Sequence, residues 1–161
     1  MATLSAYDIT TPMIEATGAA MRDGDFDKFM HHFALPFVME THDGKILLNT
    51  SHEMEAHFNG VYAFRAENGI VDSFRENVSA EFVEPKTIAL IHVSHLLLKD
   101  GSVFDRPYPT YSVIRQVDGR WLTHYSQYAV GDLDAFSRAL LKFRNDEKQL
   151  DLARAAYSGH T

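Results

Sequence analysis

Cysteine is absent from all 161 residues. That removes disulfide frameworks, thiol nucleophiles and thiolate-ligated zinc or iron–sulfur sites together. Proline occurs five times and tryptophan once, and no Pro-rich or Gly/Ser-rich tract divides the chain, so there is no sign of a linker. No segment approaches the roughly 20 consecutive apolar residues of a membrane span. Met1 to Asp8 has neither the basic stretch nor the apolar run of a signal peptide, so the expected location is the cytoplasm. Positive charge is scarce. With 15 Lys+Arg against 22 Asp+Glu the net charge is −7, a field that repels phosphate backbones and anionic lipid, so neither nucleic acid nor a membrane is an expected partner. G-x-S-x-G, a P-loop and G-x-G-x-x-G are also missing, and nothing points to a cofactor.

What is present is 45% apolar and 12% aromatic residues, enough to close one core without staples. The expected organisation is a single domain over 1–161, with a core from about 10 to 130 and a helical extension from about 132 to 157. Thr11 and Pro12 read as the cap and first residue of a helix reaching Arg22. Phe26, Phe29, Met30 and Phe33 have the spacing of one buried helical face, with Pro36 as the stop. Phe37–Thr41 and Lys45–Leu48 flank His42-Asp43-Gly44 as a hairpin. Thr50 and Glu53 form a capping-box pattern opening a third helix to about Ala66, with Met54, Phe58, Val61 and Arg65 inward and His57 and Tyr62 at the margins.

From Ile70 to Val130 the apolar pattern takes period two, and turn signals at Pro85-Lys86, Asp100-Gly101 and Asp118-Gly119 mark four antiparallel strands. The layout is α+β, with helices covering one face of a curved sheet. If each turn is a two-residue loop, paired residue numbers sum to 171, 201 and 237 across the successive hairpins. Glu76 then lies opposite His95, and His95 opposite Arg106, on a face shared with Tyr108, Trp121, Tyr125 and Gln127. The other face carries Arg75, Asn77, His92, Tyr111, His124 and Tyr128. Both faces are too apolar for water, and the helices cover only one, so a homodimer through the outer face is expected. Glu76, His95 and Arg106 are either the floor of a pocket or a structural ion-pair network.

Metal motifs fail on geometry. His52 and His57 resemble a zinc-protease pair, but five residues turn a helix by about 500°, leaving the side chains about 140° apart. His92 and His95 fall on opposite faces of a strand. Asp23, Asp25 and Asp27 resemble the start of a calcium loop, yet Lys28 and Ala34 occupy its glycine and final acid positions. His31-His32 reads as surface.

The stretch Tyr108–Tyr125, with Arg115, the Asp118-Gly119 turn, Trp121 and His124, resembles the closing hairpin of the nuclear-transport-factor-2-like superfamily, which includes polyketide-cyclase-like and ketosteroid-isomerase-like proteins. Met21–Phe29, with Gly24-Asp25 at its centre, resembles that superfamily's junction between its first helices. The resemblance implies a cone-shaped antiparallel sheet wrapped around N-terminal helices, here with an added C-terminal helix, and a deep, largely apolar pocket in a usually dimeric protein. Members include isomerases, dehydratases, cyclases and epoxide hydrolases, along with proteins that only bind or assemble. His31–Phe37 has no carboxylate where several enzymes carry one, so no catalytic acid or base carries over by position. The expected function is therefore a small-molecule pocket for an apolar or aromatic ligand. In a cofactor-free proton transfer on a carbonyl compound, His95 would be the acid or base and Glu76 would orient it. Arg106 with Tyr108 or Tyr125 would hold the oxyanion, and Gln127, Tyr62, His57 and Trp121 would complete the lining. The alternative is a non-catalytic dimerisation or ligand-sensing module.

Overall fold

Helix α1 spans Ala6–Asp23 and starts earlier than the Thr11-Pro12 signal suggests. Ser5 Oγ accepts from the Asp8 N–H at 3.0 Å while the Asp8 carboxylate accepts from the Ser5 N–H at 3.2 Å, a reciprocal cap that satisfies two end donors. Pro12 consequently falls inside the helix, where it costs a free helix about 3 kcal/mol; docking of α1 on the sheet outweighs that local preference. The computed structural model describes residues 3–130 and residue 140. The extension expected over 132–157 lies outside the described residues except Leu140, which is buried in the main core.

Helix α2, Phe26–Met30, is capped by Asp25. It is shorter than its aromatic spacing implies. Phe33 instead opens strand β1, Phe33–Thr41, so Pro36 lies within that strand and does not terminate the helix. The aromatic face survives the change of backbone: Phe33 still stacks on Phe29 at 4.6 Å and meets Phe37 at 5.1 Å. Strand β2, Gly44–Leu48, returns through a two-residue turn, with Thr41 opposite Gly44. Helix α3, Ser51–Glu67, begins where the capping pattern places it, Thr50 Oγ1 accepting from the Glu53 N–H at 3.1 Å. Met54, Phe58, Val61 and Arg65 are all buried, as the stripe requires, and His57 is buried with them.

Four strands follow: β3 Ile70–Glu84, β4 Thr87–Leu98, β5 Tyr108–Val117 and β6 Arg120–Tyr128. The sheet order is β2-β1-β6-β5-β4-β3. The β3–β6 meander is antiparallel as read, but β1 joins β6 in parallel, so the six-stranded sheet is mixed. One face carries the helices and the main core, in which Phe29, Phe37, Met39, Ile46, Met54 and Phe58 meet.

Register is where the simple arithmetic fails. The pair sum is 171 at Glu84–Thr87 but falls to 168 at Ile70–Leu98, through bulges at Phe82/Glu84, Asn77/Ser79 and Ile70/Asp72. Glu76 therefore faces Val93, and His95 faces Phe74. Between β4 and β5 the Asp100-Gly101 signal gives a three-residue turn, Leu98 N–H donating to Ser102 O and Gly101 adopting φ 86°. The chain then kinks at Asp105, φ 57°. Pairing resumes at Tyr108 opposite Ser94, which leaves Arg106 in the connection and outside the ladder. Pro85-Lys86 and Asp118-Gly119 both behave as two-residue loops, with Glu84 opposite Thr87 and Val117 opposite Arg120; Asp118 and Gly119 are both at positive φ, and a further bulge follows at His124. Each bulge moves every later side chain to the other face.

Phe58 is 1% exposed and its ring meets Phe29 at 5.0 Å and Phe26 at 5.6 Å. Phe58→Ala is expected to lower unfolding free energy by about 3–5 kcal/mol, measured as a fall in the urea midpoint at unchanged slope.

Candidate functional site

On β3, Arg75 and Asn77 look towards the helices, on the face of His92, because the two bulges between the turn and Asn77 cancel. On β4 the residues alternating inward are Ile88, Leu90, His92, Ser94 and Leu96; on β5 they are Tyr108, Thr110, Ser112 and Ile114. Register aligns them into a polar row across four strands. Asn77 pairs with His92, His92 with Thr110, and Thr110 with Tyr128. A second row links Arg75, Ser94 and Tyr108. Ser112 and Ser126 form a third, their hydroxyls 2.8 Å apart.

Helix α1 closes over this face and is tied to it by side chains. Asn77 Nδ2 donates to Thr10 Oγ1 and Thr11 Oγ1, both at 2.9 Å. Arg75 Nη1 donates to Thr17 Oγ1 at 2.7 Å and to the Ile14 carbonyl at 3.2 Å. Beneath α1 lies a cavity of about 50 Å³, with His92, Arg75 and Thr17 among its polar walls and Phe29, Phe33 and Ile114 among its apolar ones. That is room for a few water-sized groups.

Several polar atoms here lack partners. His92 Nδ1, Thr110 Oγ1, Asn77 Oδ1, Arg75 Nε and Ser73 Oγ are buried without a hydrogen bond. An unsatisfied buried polar group costs about 1–3 kcal/mol, so a cluster of them on one face calls for a partner such as water or a ligand and makes this face the candidate site. Arg75 forms no ion pair among the described residues. Burial, with the Arg75 charge adding to it, pushes the His92 imidazole down to about 3. Burial raises the Tyr108 hydroxyl to about 12 against the opposing pull of Arg75, and it raises Tyr128 as well. The sheet face is thus neutral imidazole, amide and hydroxyl groups around the Arg75 guanidinium, with the buried Arg65 of α3 near enough to act on Tyr108.

The residues expected to carry chemistry are not brought together. Glu76 is exposed and His95 half-buried on the outer face, His95 against the Phe74 ring at 5.6 Å. Arg106 is exposed and its Nη2 reaches the Ala129 carbonyl at 3.4 Å. Tyr125 and Gln127 also point outward, opposite Val113 and Tyr111, and the Tyr125 hydroxyl donates to Glu40 Oε2 at 2.5 Å. Tyr62 is exposed on α3, stacked on Phe58. His57 is buried and its Nδ1 lacks a partner, but it does not line the cavity. Tyr108 does reach the concave face, and Trp121 packs near Ile88 and Ile114 with its ring 6.0 Å from Phe82.

Arg75 and His92 lie on the face opposite the expected pocket floor. The simple register already groups them, because the two bulges between the turn and Asn77 cancel, and only the docking of α1 shows that this face is the inner one. Among the described residues no cluster of three His, Asp or Glu side chains could hold a metal, and no helix is long and apolar enough to cross a membrane.

Solved structures share this architecture. An NTF2-like protein with a cystatin-like fold from Novosphingobium aromaticivorans aligns at TM-score 0.61 and 17% identity, covering 86% of this chain and 90% of that one. The fold is NTF2-like. A domain of unknown function with a cystatin-like fold from Nostoc punctiforme aligns at TM-score 0.65 and 14% identity over 98% of both chains. A ketosteroid isomerase-like protein from Erwinia carotovora atroseptica aligns at TM-score 0.56 and 14% identity, over 75% of this chain and 92% of that one. No protein-family model and no curated protein matches the sequence. At such identities the likeness establishes the NTF2-like fold alone and leaves the chemistry to the residues themselves.

Burial lowers His57 to about 4 and His92 to about 3, below the unfolded value near 6.5. Their neutral burial supports the fold fully above about pH 6.5. That support is lost as pH falls towards their folded values, because only the unfolded chain takes up the protons. At pH 5 each histidine is expected to lower stability by about 2 kcal/mol relative to pH 7. Urea unfolding at both pH values checks this: His57→Gln and His92→Gln should each show a shallower loss than the unaltered protein.

Proposed function

We propose that the concave face binds a small carbonyl- or carboxylate-bearing molecule, and that the protein is a ligand-binding module of the NTF2-like fold and not a proton-transfer catalyst. The observation that carries this reading is the unpartnered His92 Nδ1, buried against a cavity that also holds the uncompensated Arg75. A ligand oxygen there would accept from the guanidinium, while a ligand donor would satisfy the imidazole nitrogen. The aromatic wall of Phe29 and Phe33 suits an apolar or aromatic body. Catalysis by His92 is disfavoured because a general base works best with a pKa near the operating pH, and this imidazole lies far below it. Tyr108 is correspondingly a neutral hydroxyl near pH 7.

A thermal-shift screen of small carbonyl and aromatic compounds, followed by NMR of the His92 ring, tests the reading. A binder is expected to raise Tm, move the His92 resonances and lose at least tenfold in affinity in His92→Leu. Binders indifferent to His92, or His92-dependent deuterium exchange at a ligand's α-carbon, would overturn it.

A second copy of the chain is proposed to cover the outer face. Ile91 and Tyr111 are paired across β4 and β5 and remain 39% and 37% exposed, and two such faces pack isologously at about 10 Å. Glu76 and His95 then belong to that contact. Light scattering should give a dimer that Ile91→Glu converts to a folded monomer; a monomer at 100 μM in the unaltered protein, an on-the-order-of upper working concentration, would refute it.

A further inference from the structure

On the far side of Arg75 from the inner cavity, a groove of about 230 Å³ runs between α1 and the edge strand β3. Arg75 and Ile14 line both spaces and so form the partition between them. Taken with the inner cavity, the groove approaches the roughly 300 Å³ at which small-molecule pockets begin.

Two residues of β3 that line the groove hold unused polar atoms, Ser73 Oγ and Arg75 Nε, both buried and without hydrogen bonds. The helix opposite them is bare at Gly18. A Cβ there would stand 3.7 Å from Arg75 Cδ and Nε and 3.8 Å from Ser73 Oγ. A β-carbon is therefore tolerated, but any longer side chain would fill the space in front of them. Arg22, one helical turn further on, already pairs with Asp23 and Asp72 at 3.4 Å. Glu15 brings a negative charge to the same groove, which disfavours ligands carrying more than one negative charge. Phe74 and Ala19 add apolar wall.

We infer that the groove and the inner cavity are two chambers of one site for a small monocarboxylate, with Arg75 as the partition and as the group that recognises the anion. The carboxylate takes Arg75 Nε and Ser73 Oγ in the outer chamber. Arg75 Nη1, which now bridges to Thr17 and Ile14, releases that bridge as the ligand's apolar part advances towards Phe29 and Phe33. Arginine suits this role because its planar fork can grip a carboxylate with two donors. The inference rests on the concave face being a ligand site and adds the ligand class and the route.

The probes are butyrate and benzoate against their uncharged amides, titrated into the full chain by calorimetry and followed by NMR of the His92 ring. The carboxylates are expected to bind at least tenfold more tightly than the amides and to shift His92. Arg75→Gln should abolish that preference, and Gly18→Leu, which fills the groove at an open helix position, should weaken carboxylate binding at least tenfold with the fold retained by circular dichroism. Equal binding of acid and amide overturns the role of Arg75. Carboxylate binding that shifts His92 yet is untouched by Gly18→Leu overturns the outer chamber while leaving the concave site intact. Carboxylate binding that depends on Gly18 and Arg75 but never perturbs His92 supports the groove and defeats the concave-face reading.

Discussion

A strand of 15 residues paired with one of 12 has three residues that the ladder cannot use. β3 discards them one at a time, near each end and in the middle. Each discarded residue bends the strand and reverses which side chains look inward. That constraint governs the rest of the molecule. It bends the sheet where α1 lies across it, and because the two bulges between the turn and Asn77 cancel, Arg75 and Asn77 stay on the face of His92, towards the helix. Those two side chains then hold α1 by hydrogen bonds to Thr10, Thr11, Thr17 and the Ile14 carbonyl, so the element that closes the pocket is fastened by side chains of the bulged strand.

The electrostatics of the concave face follow from the same arrangement. Arg75 is a half-buried cation with no carboxylate within ion-pair distance among the described residues. It lowers the affinity of His92 for a proton and draws the Tyr108 and Tyr128 hydroxyls towards ionisation against a larger effect of burial. A face with one uncompensated positive charge and several neutral donors and acceptors is poorly satisfied when empty. It is well matched to a ligand that supplies a negative oxygen. Burial, with the same charge adding to it, keeps the imidazole neutral, which weakens it as a base and favours recognition over turnover.

Much of the fold is legible in local sequence because its signals are local. Thr50 and Glu53 set the start of α3, the Met54–Arg65 stripe selects its buried face, and Asp118-Gly119 makes the turn that its φ preferences demand. Where reading fails, a longer-range effect has prevailed. The Ser5–Asp8 cap and the sheet beneath α1 override Pro12. β1 draws Phe33 out of helix α2. Asp105 and the Arg106-Pro107 pair interrupt the ladder that would have carried Arg106 to His95.

By itself the sequence determined the α+β layout, the helix start at Thr50, the aromatic core and the presence of histidines and arginines within an apolar sheet, because spacing and capping act between residues close in the chain. Which of those ionisable groups meet was settled only in the tertiary structure. A bulge leaves almost no trace in composition, yet one displaced residue sends a side chain to the opposite face. In either register His95 and Glu76 share one face and His92 and Arg75 the other, and the docking of α1 through Arg75 and Asn77 made the second of these the interior.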